Sequence, residues 1–373
     1  MPSVDQIRTP DVTPLLVTTN HGLEDITAKE VCERAHALGL HDIRTKESPN
    51  GRTSYVRISS SASPDTMLDL AHNLRSVHHI QAPLFRFTLP SGPAEEQLEN
   101  IRAVLRTNKL PGMDDAETFR VSTNRRGEHC FTSVDVMRAA GAGLIDQYGT
   151  DVDLEDFDLE VRVDVRQHDV TVGIQHTQEP LSRRQARAFQ PPAALSPSVA
   201  YAMLRLPYLG GSPSTVLDPF CGSGTILIEA ARLWPTARVL GLDRDRDAVA
   251  GARRNVQQEG LASRIRIHEG DALGLASQSN DKAPDLIVTN PPFGKRLGSE
   301  MDLVTFYRRF LSEAHEALPP EGWLVLLVLK PGAFSGALQA VRDRRGIAYD
   351  VRHVRRIQLG GLHPRIFVMQ AHD

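Results

Sequence analysis

Only three cysteines stand in 373 residues, Cys32, Cys130 and Cys221, and no two make a C-x-x-C pair. That excludes a disulfide framework and a thiolate zinc site, and it matches a reducing, cytoplasmic compartment. The histidines show no metal-ligand spacing either, so no metal is expected. No apolar run reaches the roughly 20 residues that cross a bilayer. The start, Met-Pro-Ser-Val-Asp-Gln, has no basic stretch leading into an apolar one, so no secretory signal is expected. Charge of one sign is missing as well. Lys and Arg number 43 against 46 Asp and Glu, a net charge of −3. A nucleic-acid partner would have to be held by local basic patches.

What is present is the balance of a globular protein, 40% hydrophobic and 24% charged. At roughly 150 residues per domain the length allows two or three domains. The first part reads as small α/β units. Strands are expected over 15–19 and 53–58, with a helical pattern over 22–38 between them. Ser63 followed by Pro64 has the form of an N-cap with proline in the first turn, opening a helix to about Leu74. A strand lies within 77–89, and His78-His79 reads as a surface turn. Pro90-Ser91-Gly92-Pro93 is the first strong break. A helix over 94–106, a strand over 118–123 and a helix over 133–148 with Asp135 in its first turn follow. Residues 159–165 alternate with period two, as a half-buried strand does, and 170–175 returns beside it after the turn Gln167-His168-Asp169. Thr177 to Pro197 has the composition of a linker. The expected division is therefore 1–90, 91–178, a linker over 179–200, and 201–373.

From there strands and helices alternate at the spacing of βαβ units. Strands are expected at 215–217, 238–242, 265–267, 286–289 and 323–329, with helices between them that include 247–259 and 303–317. Wholly apolar strands such as Leu324 to Leu329 suit a parallel sheet covered on both faces. Two strand-like runs flank Gly360-Gly361, which predicts an antiparallel hairpin closing the sheet.

The residues that carry chemistry fall at the carboxyl ends of these strands. Val216 to Ala231 reads V-L-D-P-F-C-G-S-G-T-I-L-I-E-A-A: a strand, a glycine turn and a helix start. Gly222 and Gly224 let a ligand approach the backbone at a helix N-terminus. The third glycine of a dinucleotide fingerprint is missing, with Leu227 in its place, and so is the Walker lysine. Asp218, four positions before Gly222, can accept from an ammonium group, such as that of S-adenosylmethionine. It would repel a pyrophosphate. Asp243 at the second strand tip is placed for ribose hydroxyls, and Asp271 at the third for an adenine amine. Asn290-Pro291-Pro292-Phe293 ends the fourth. Four such sites in register predict a cofactor site for S-adenosylmethionine.

An exocyclic amine on a base is a poor nucleophile, because its lone pair is delocalised into the ring. The Asn290 side-chain oxygen and the Pro291 carbonyl can each accept one N–H, which orients the nitrogen and encourages sp³ character. Pro291 and Pro292 fix the backbone that carries these acceptors. Phe293 can stack on the face of an extruded base. Positioning then supplies much of the catalysis. Cys221, inside the glycine turn, is expected to pack rather than to attack. Arginines cluster at Arg183, Arg184 and Arg187, at Arg342, Arg344, Arg345, Arg352, Arg355 and Arg356, and at Arg120, Arg125 and Arg126. Their forks match phosphate geometry. The same acceptors and ring would suit an adenine N6 or a glutamine N5 as the methylated amine, and without catalysis the arginine clusters would leave a nucleic-acid-binding protein.

V-L-D-P-F-C-G-S-G-T and N-P-P-F resemble motifs of class I, Rossmann-like methyltransferases that act on exocyclic amines. Leu16 to Glu24 (L-V-T-T-N-H-G-L-E), Phe119 to Gly127 (F-R-V-S-T-N-R-R-G) and Val172 to Arg184 (V-G-I-Q-H-T-Q-E-P-L-S-R-R) are similar to an α+β ferredoxin-like domain followed by a THUMP domain. THUMP is an RNA-binding module that contacts the acceptor-stem 3′ end in tRNA-modifying relatives. The resemblance covers nearly the whole chain. It is strongest to the tRNA guanine-N2-methyltransferases acting at position 6 of the acceptor stem. It implies a mostly parallel methyltransferase sheet with a terminal antiparallel hairpin, behind the two smaller domains. It implies cofactor contacts from Ala194, Leu195, Asp218, Pro219, Cys221, Gly222, Ser223, Gly224, Thr225, Asp243, Arg244, Asp271, Ala272 and Asn290. Asn290 to Phe293 would hold the guanine, and Arg183, Arg184 and Arg187 would touch RNA. A cytoplasmic monomer acting on tRNA, without metal or membrane, is the implied whole. Enzymes for guanine 10 usually carry Asp in place of Asn290. Ribosomal guanine methyltransferases share the amide but are usually longer.

Overall fold

The computed structural model describes residues 3–7, 12–48, 54–183, 187–191, 194–207, 210–278, 283–292 and 303–372. They form two units, Met1–Thr19 with Thr27–Leu181, and Asn20–Ile26 with Ser182–Asp373.

The first unit is built on one ten-stranded sheet. It opens with β1 (Val4–Gln6), β2 (Thr13–Thr18), α1 (Glu24–Ala37, its first residues belonging to the second unit), β3 (Arg44–Glu47), β4 (Tyr55–Ser60), α2 (Pro64–His72) and β5 (Ile80–Thr88). It continues with α3 (Ala94–Thr107), β6 (Thr118–Ser122), β7 (Arg125–Arg126), α4 (Ser133–Tyr148), β8 (Asp151–Val152), β9 (Leu159–Arg166) and β10 (Asp169–Gln175). The strand order is β3-β4-β2-β5-β10-β9-β6-β8, with β1 on β5 and β7 on β9. Ser63 caps α2 as expected, its hydroxyl accepting from the Thr66 amide at 3.2 Å. α4 starts on a reciprocal box, in which the Asp135 carboxylate also accepts from the Thr132 amide at 2.7 Å. Val31, Ala35, Met67 and Leu70 of α1 and α2 share a core with Leu15, Val17, Val56 and Ile58. Ile101, Val104, Val136 and Leu144 of α3 and α4 do the same with Val161, Val163 and Val172.

Two expectations change here. β9 alternates, but its polar face is not solvated: Glu160 and Asp164 are only 3% and 6% exposed. Glu160 accepts from Arg120 at 2.7 Å, Ser122 at 2.5 Å and Gln175 at 3.0 Å. Asp164 accepts from Arg162 at 2.6 Å and the Asn124 amide at 3.0 Å. These partners compensate the burial of the carboxylates, and they occupy Arg120. His78 and His79 are half-buried before β5, not on a surface turn. His79 Nδ1 lies 3.1 Å from Thr177 Oγ1, and burial, with His79 second, pushes His78 down to about 4.

α3 and α4 cross at Gly143, where a Cβ would fall on the Arg102 carbonyl oxygen. Gly143→Ala therefore has no room, although alanine favours a helix by about 1 kcal/mol over glycine. Overpacking of this kind costs about 1–3 kcal/mol. A net destabilisation, read as a lower urea midpoint, is the expected outcome.

The second unit contains α5 (Pro197–Arg205), β11 (Thr215–Asp218), α6 (Thr225–Leu233), β12 (Arg238–Asp243), α7 (Arg246–Gln258), β13 (Ile265–Glu269) and α8 (Leu275–Gln278). Then come β14 (Leu286–Thr289), α9 (Leu303–Ala317), β15 (Trp323–Val328), α10 (Pro331–Arg345), β16 (Ala348–Arg356) and β17 (Arg365–His372). The sheet order is β13-β12-β11-β14-β15-β17-β16. The first five are parallel, while β17 runs antiparallel to both neighbours. Alternate residues enter two cores. Val216, Val288 and Val325 face one, and Leu217, Ile287 and Leu324 face the other. This is why β15, Trp323–Val328, is wholly apolar. The order reverses between β11 and β14, so a crevice opens at their carboxyl ends. The stretch with linker composition ends in α5, whose residues 197–204 are buried. No helix among the described residues is long and apolar enough to cross a membrane.

Candidate active site

A pocket of about 460 Å³ lies at this crevice. Ala194, Leu195, Asp218, Cys221, Gly222, Ser223, Thr225, Asp243, Arg244, Asp271, Asn290 and Pro292 all line it. The strand tips expected to hold one ligand are thus brought into one cavity. Pro219, Gly224, Ala272 and Pro291 are not in its wall. Gly224 instead caps α6 in a left-handed conformation, φ +80°, and its amide donates to the Cys221 carbonyl at 2.7 Å. Phe293 and Arg184 lie outside the described residues. Arg183 is exposed and away from the pocket wall. Arg187 is half-buried, donates to the Leu195 carbonyl at 3.4 Å, and has a buried Nη2 without a partner among the described residues. Arg355 is bound to Asp25 by two contacts of 2.7 and 2.8 Å.

Asp218 is 1% exposed. Its Oδ1 accepts from the Thr289 hydroxyl at 2.6 Å and the Phe220 amide at 3.1 Å. Burial pushes its carboxyl up to about 7; these two donors oppose the shift, and Asp243 adds to it. Such a carboxylate is short of a cation. Asp243 sits at the tip of β12, where its Oδ2 accepts from the Gly222 amide at 2.9 Å and its Oδ1 from the Asp245 amide at 3.0 Å. These bonds fix the carboxylate beside the glycine turn. The Asp271 carboxylate accepts from the Leu273 amide at 3.0 Å. Burial pushes the Cys221 thiol well up, and the carboxylates of Asp218 and Asp243 push the same way. A neutral thiol is a poor nucleophile, which fits a packing role. Asn290 stands directly after Thr289, and its Oδ1 is buried without a partner among the described residues. An orphaned acceptor in a pocket wall calls for a donor from a ligand.

Phe189, Pro191, Phe220 and Phe306 also line the pocket, and sequence reasoning assigned them no role. Phe220 stood within the quoted motif. Its ring packs on Phe306 and Phe310, with centroids 5.7 and 5.1 Å away. Phe306 comes from α9, and no local pattern announces which face of that helix reaches the site.

Residues 184–364 match the family described as RMKL-like, methyltransferase domain, and residues 95–175 match the THUMP domain. The tRNA (guanine(6)-N2)-methyltransferase of Thermus thermophilus is 36% identical over 358 residues, covering 95% of this chain and 99% of that protein. The chain belongs to the tRNA (guanine(6)-N2)-methyltransferase family. Another member, from Archaeoglobus fulgidus, is 28% identical and covers 94% of this chain and 90% of its own length. The crystal structure of TrmN from Thermus thermophilus matches at a TM-score of 0.79 and 34% identity, over 96% of this chain and 99% of that one. As a member of this family the chain is a methyltransferase dependent on S-adenosylmethionine, with a THUMP domain ahead of its catalytic sheet. Among the described residues no group of three or more His, Cys, Asp or Glu could hold a metal ion.

Proposed function

We propose that this pocket methylates the exocyclic N2 of guanine 6 in the acceptor stem of tRNA. The observation that carries this reading is the buried Asn290 Oδ1, without a partner among the described residues, in the wall that also holds Asp218. The residues fit the cofactor. Gly222 and Gly224, at φ +51° and +80°, bare the backbone of the turn. Asp218 would accept from the ammonium of the methionyl arm, and Asp243 from the ribose. Asp271 would take the adenine amine. S-adenosylmethionine supplies an electrophilic methyl group on a sulfonium centre.

The chain's own part is to bind and orient. Asn290 Oδ1 would accept one N–H of the guanine amine, and the carbonyl of Pro291, which is next in the chain but outside the pocket wall, would accept the other once the base has entered, so that the nitrogen lone pair points in line at the methyl carbon. No strong base is needed, because the nitrogen becomes a cationic N-methyl ammonium as the sulfonium S–C bond breaks, and that ammonium is acidic and gives its proton to water. The paired base must first leave its stack, at a cost of a few kcal/mol. The segments 1–90 and 91–178, ferredoxin-like and THUMP, would act as a ruler from the tRNA 3′ end to the base, joined through 179–200 to a catalytic domain over 201–373. Arg183, Arg184 and Arg187 would touch the RNA. The enzyme would act as a cytoplasmic monomer.

The test uses purified protein, methyl-labelled cofactor and unmodified tRNA transcripts, followed by digestion and mass spectrometry. N2-methylguanosine at position 6 is expected. Label in N6-methyladenosine, in another position or in a protein glutamine would overturn the assignment.

A further inference from the structure

Gly251 lies inside α7 with no left-handed φ to require it, although glycine costs a helix about 1 kcal/mol relative to alanine. The reason for it is Phe189. A Cβ at Gly251 would fall on the Phe189 ring and its Cβ. The strap 187–191 is stapled along the same helix face. The Ala188 amide donates to Gln258 Oε1 at 3.0 Å. The Phe189 amide donates to Asn255 Oδ1 at 3.0 Å, and Asn255 Nδ2 donates to the Phe189 carbonyl at 2.8 Å. Asn255 Nδ2 also donates to the Ser223 carbonyl of the glycine turn at 2.9 Å. Positions 251, 255 and 258 are spaced by four and three, so they share one face. Asn255 is 2% exposed, and these three bonds use both of its amide N–H groups and engage its oxygen. Asp would lack the donors and Leu both kinds of group. Phe189 itself lines the pocket, together with Ser223 and with Ala248 one turn before Gly251.

We propose that Gly251, Asn255 and Gln258 form a template on α7 that seats Phe189 as a wall of the cofactor pocket, where its ring contacts the ligand over the glycine turn. Phe189 is the contact residue and Asn255 the positioning residue, locking strap and turn together. This rests on the cofactor reading above, and the experiment separates the two.

Calorimetry of the full chain with S-adenosylhomocysteine is compared for the parent, Gly251→Ala, Phe189→Ala and the double variant. Each single change is expected to weaken binding by about tenfold. In the double variant the new methyl still meets the Cβ at 189, but the ring contact can be lost only once, so the two losses should fall well short of adding. Asn255→Asp should raise the cofactor KM while kcat at saturation stays within about twofold. Parent-like affinity in Gly251→Ala, losses that add in the double variant, or a kcat loss at unchanged KM in Asn255→Asp would each overturn the template. A strap of purely structural value predicts that parent-like affinity, since alanine at 251 favours the helix. Failure of the unsubstituted protein to bind the probe would instead overturn the cofactor reading itself.

Discussion

Asn290→Ala lowers kcat by about two to three orders of magnitude while leaving affinity for S-adenosylhomocysteine and tRNA nearly unchanged. This is the size of effect seen when one preorganised polar partner of a reacting group is removed. The expectation follows from position. Asn290 lines the pocket with its Oδ1 buried and unpaired among the described residues, so none of them gains from that oxygen. Its use comes when a donor enters. Removing it leaves Asp218, Asp243 and the glycine turn intact, because the Thr289, Phe220 and Gly222 donors that hold these carboxylates do not depend on Asn290. Asn290→Asp keeps an acceptor oxygen and should lose less than the alanine variant. Single-turnover methylation of a tRNA transcript, beside calorimetry of cofactor binding, separates the two effects. Unchanged turnover in Asn290→Ala removes the residue from the mechanism. Parallel loss of turnover and cofactor affinity would make it a cofactor ligand only.

The catalytic sheet was legible because each of its signals is local. Leu286–Thr289 and Leu303–Ala317 fall where they were expected, since a short apolar strand and an amphipathic helix announce themselves residue by residue. The hairpin around Gly360-Gly361 likewise appears as β16 and β17. The strand-tip acids converge because parallel strands put all their carboxyl ends on one edge. What was not legible depends on pairing across the chain. β7 and β8 are two residues each and have no period to detect. The burial of Glu160 depends on Arg120, Ser122 and Gln175, which come from two other strands. Phe189 and Phe306 reach the pocket through the docking of a strap and a helix. Gly251 looks like a flaw in a helix until the ring upon it is seen.

Asp218→Asn should weaken S-adenosylhomocysteine binding by about 30-fold or more, the loss expected when a buried, hydrogen-bonded charge pair loses one partner. It should also abolish the pH dependence of that binding. The sign follows from burial. The Asp218 carboxyl is held at about 7, against about 4 for an unfolded aspartate. The folded chain therefore binds this proton more tightly, and the ligand-free protein loses stability as pH rises from about 4 through about 7. An ammonium group on the ligand selects the ionised carboxylate. Affinity in the parent should thus rise from about pH 6 to about pH 8 and then level off. Asparagine carries no charge to bury, and its carbonyl oxygen can still accept from Thr289. The ligand-free variant should consequently melt higher than the parent at about pH 8, yet gain less from added ligand. That opposition is the signature of a group kept for binding at the expense of the empty fold. Scanning fluorimetry with and without ligand, beside calorimetry across the pH range, reads both halves. A variant that binds as tightly as the parent, or a parent whose affinity ignores pH, would place the ammonium elsewhere in the pocket.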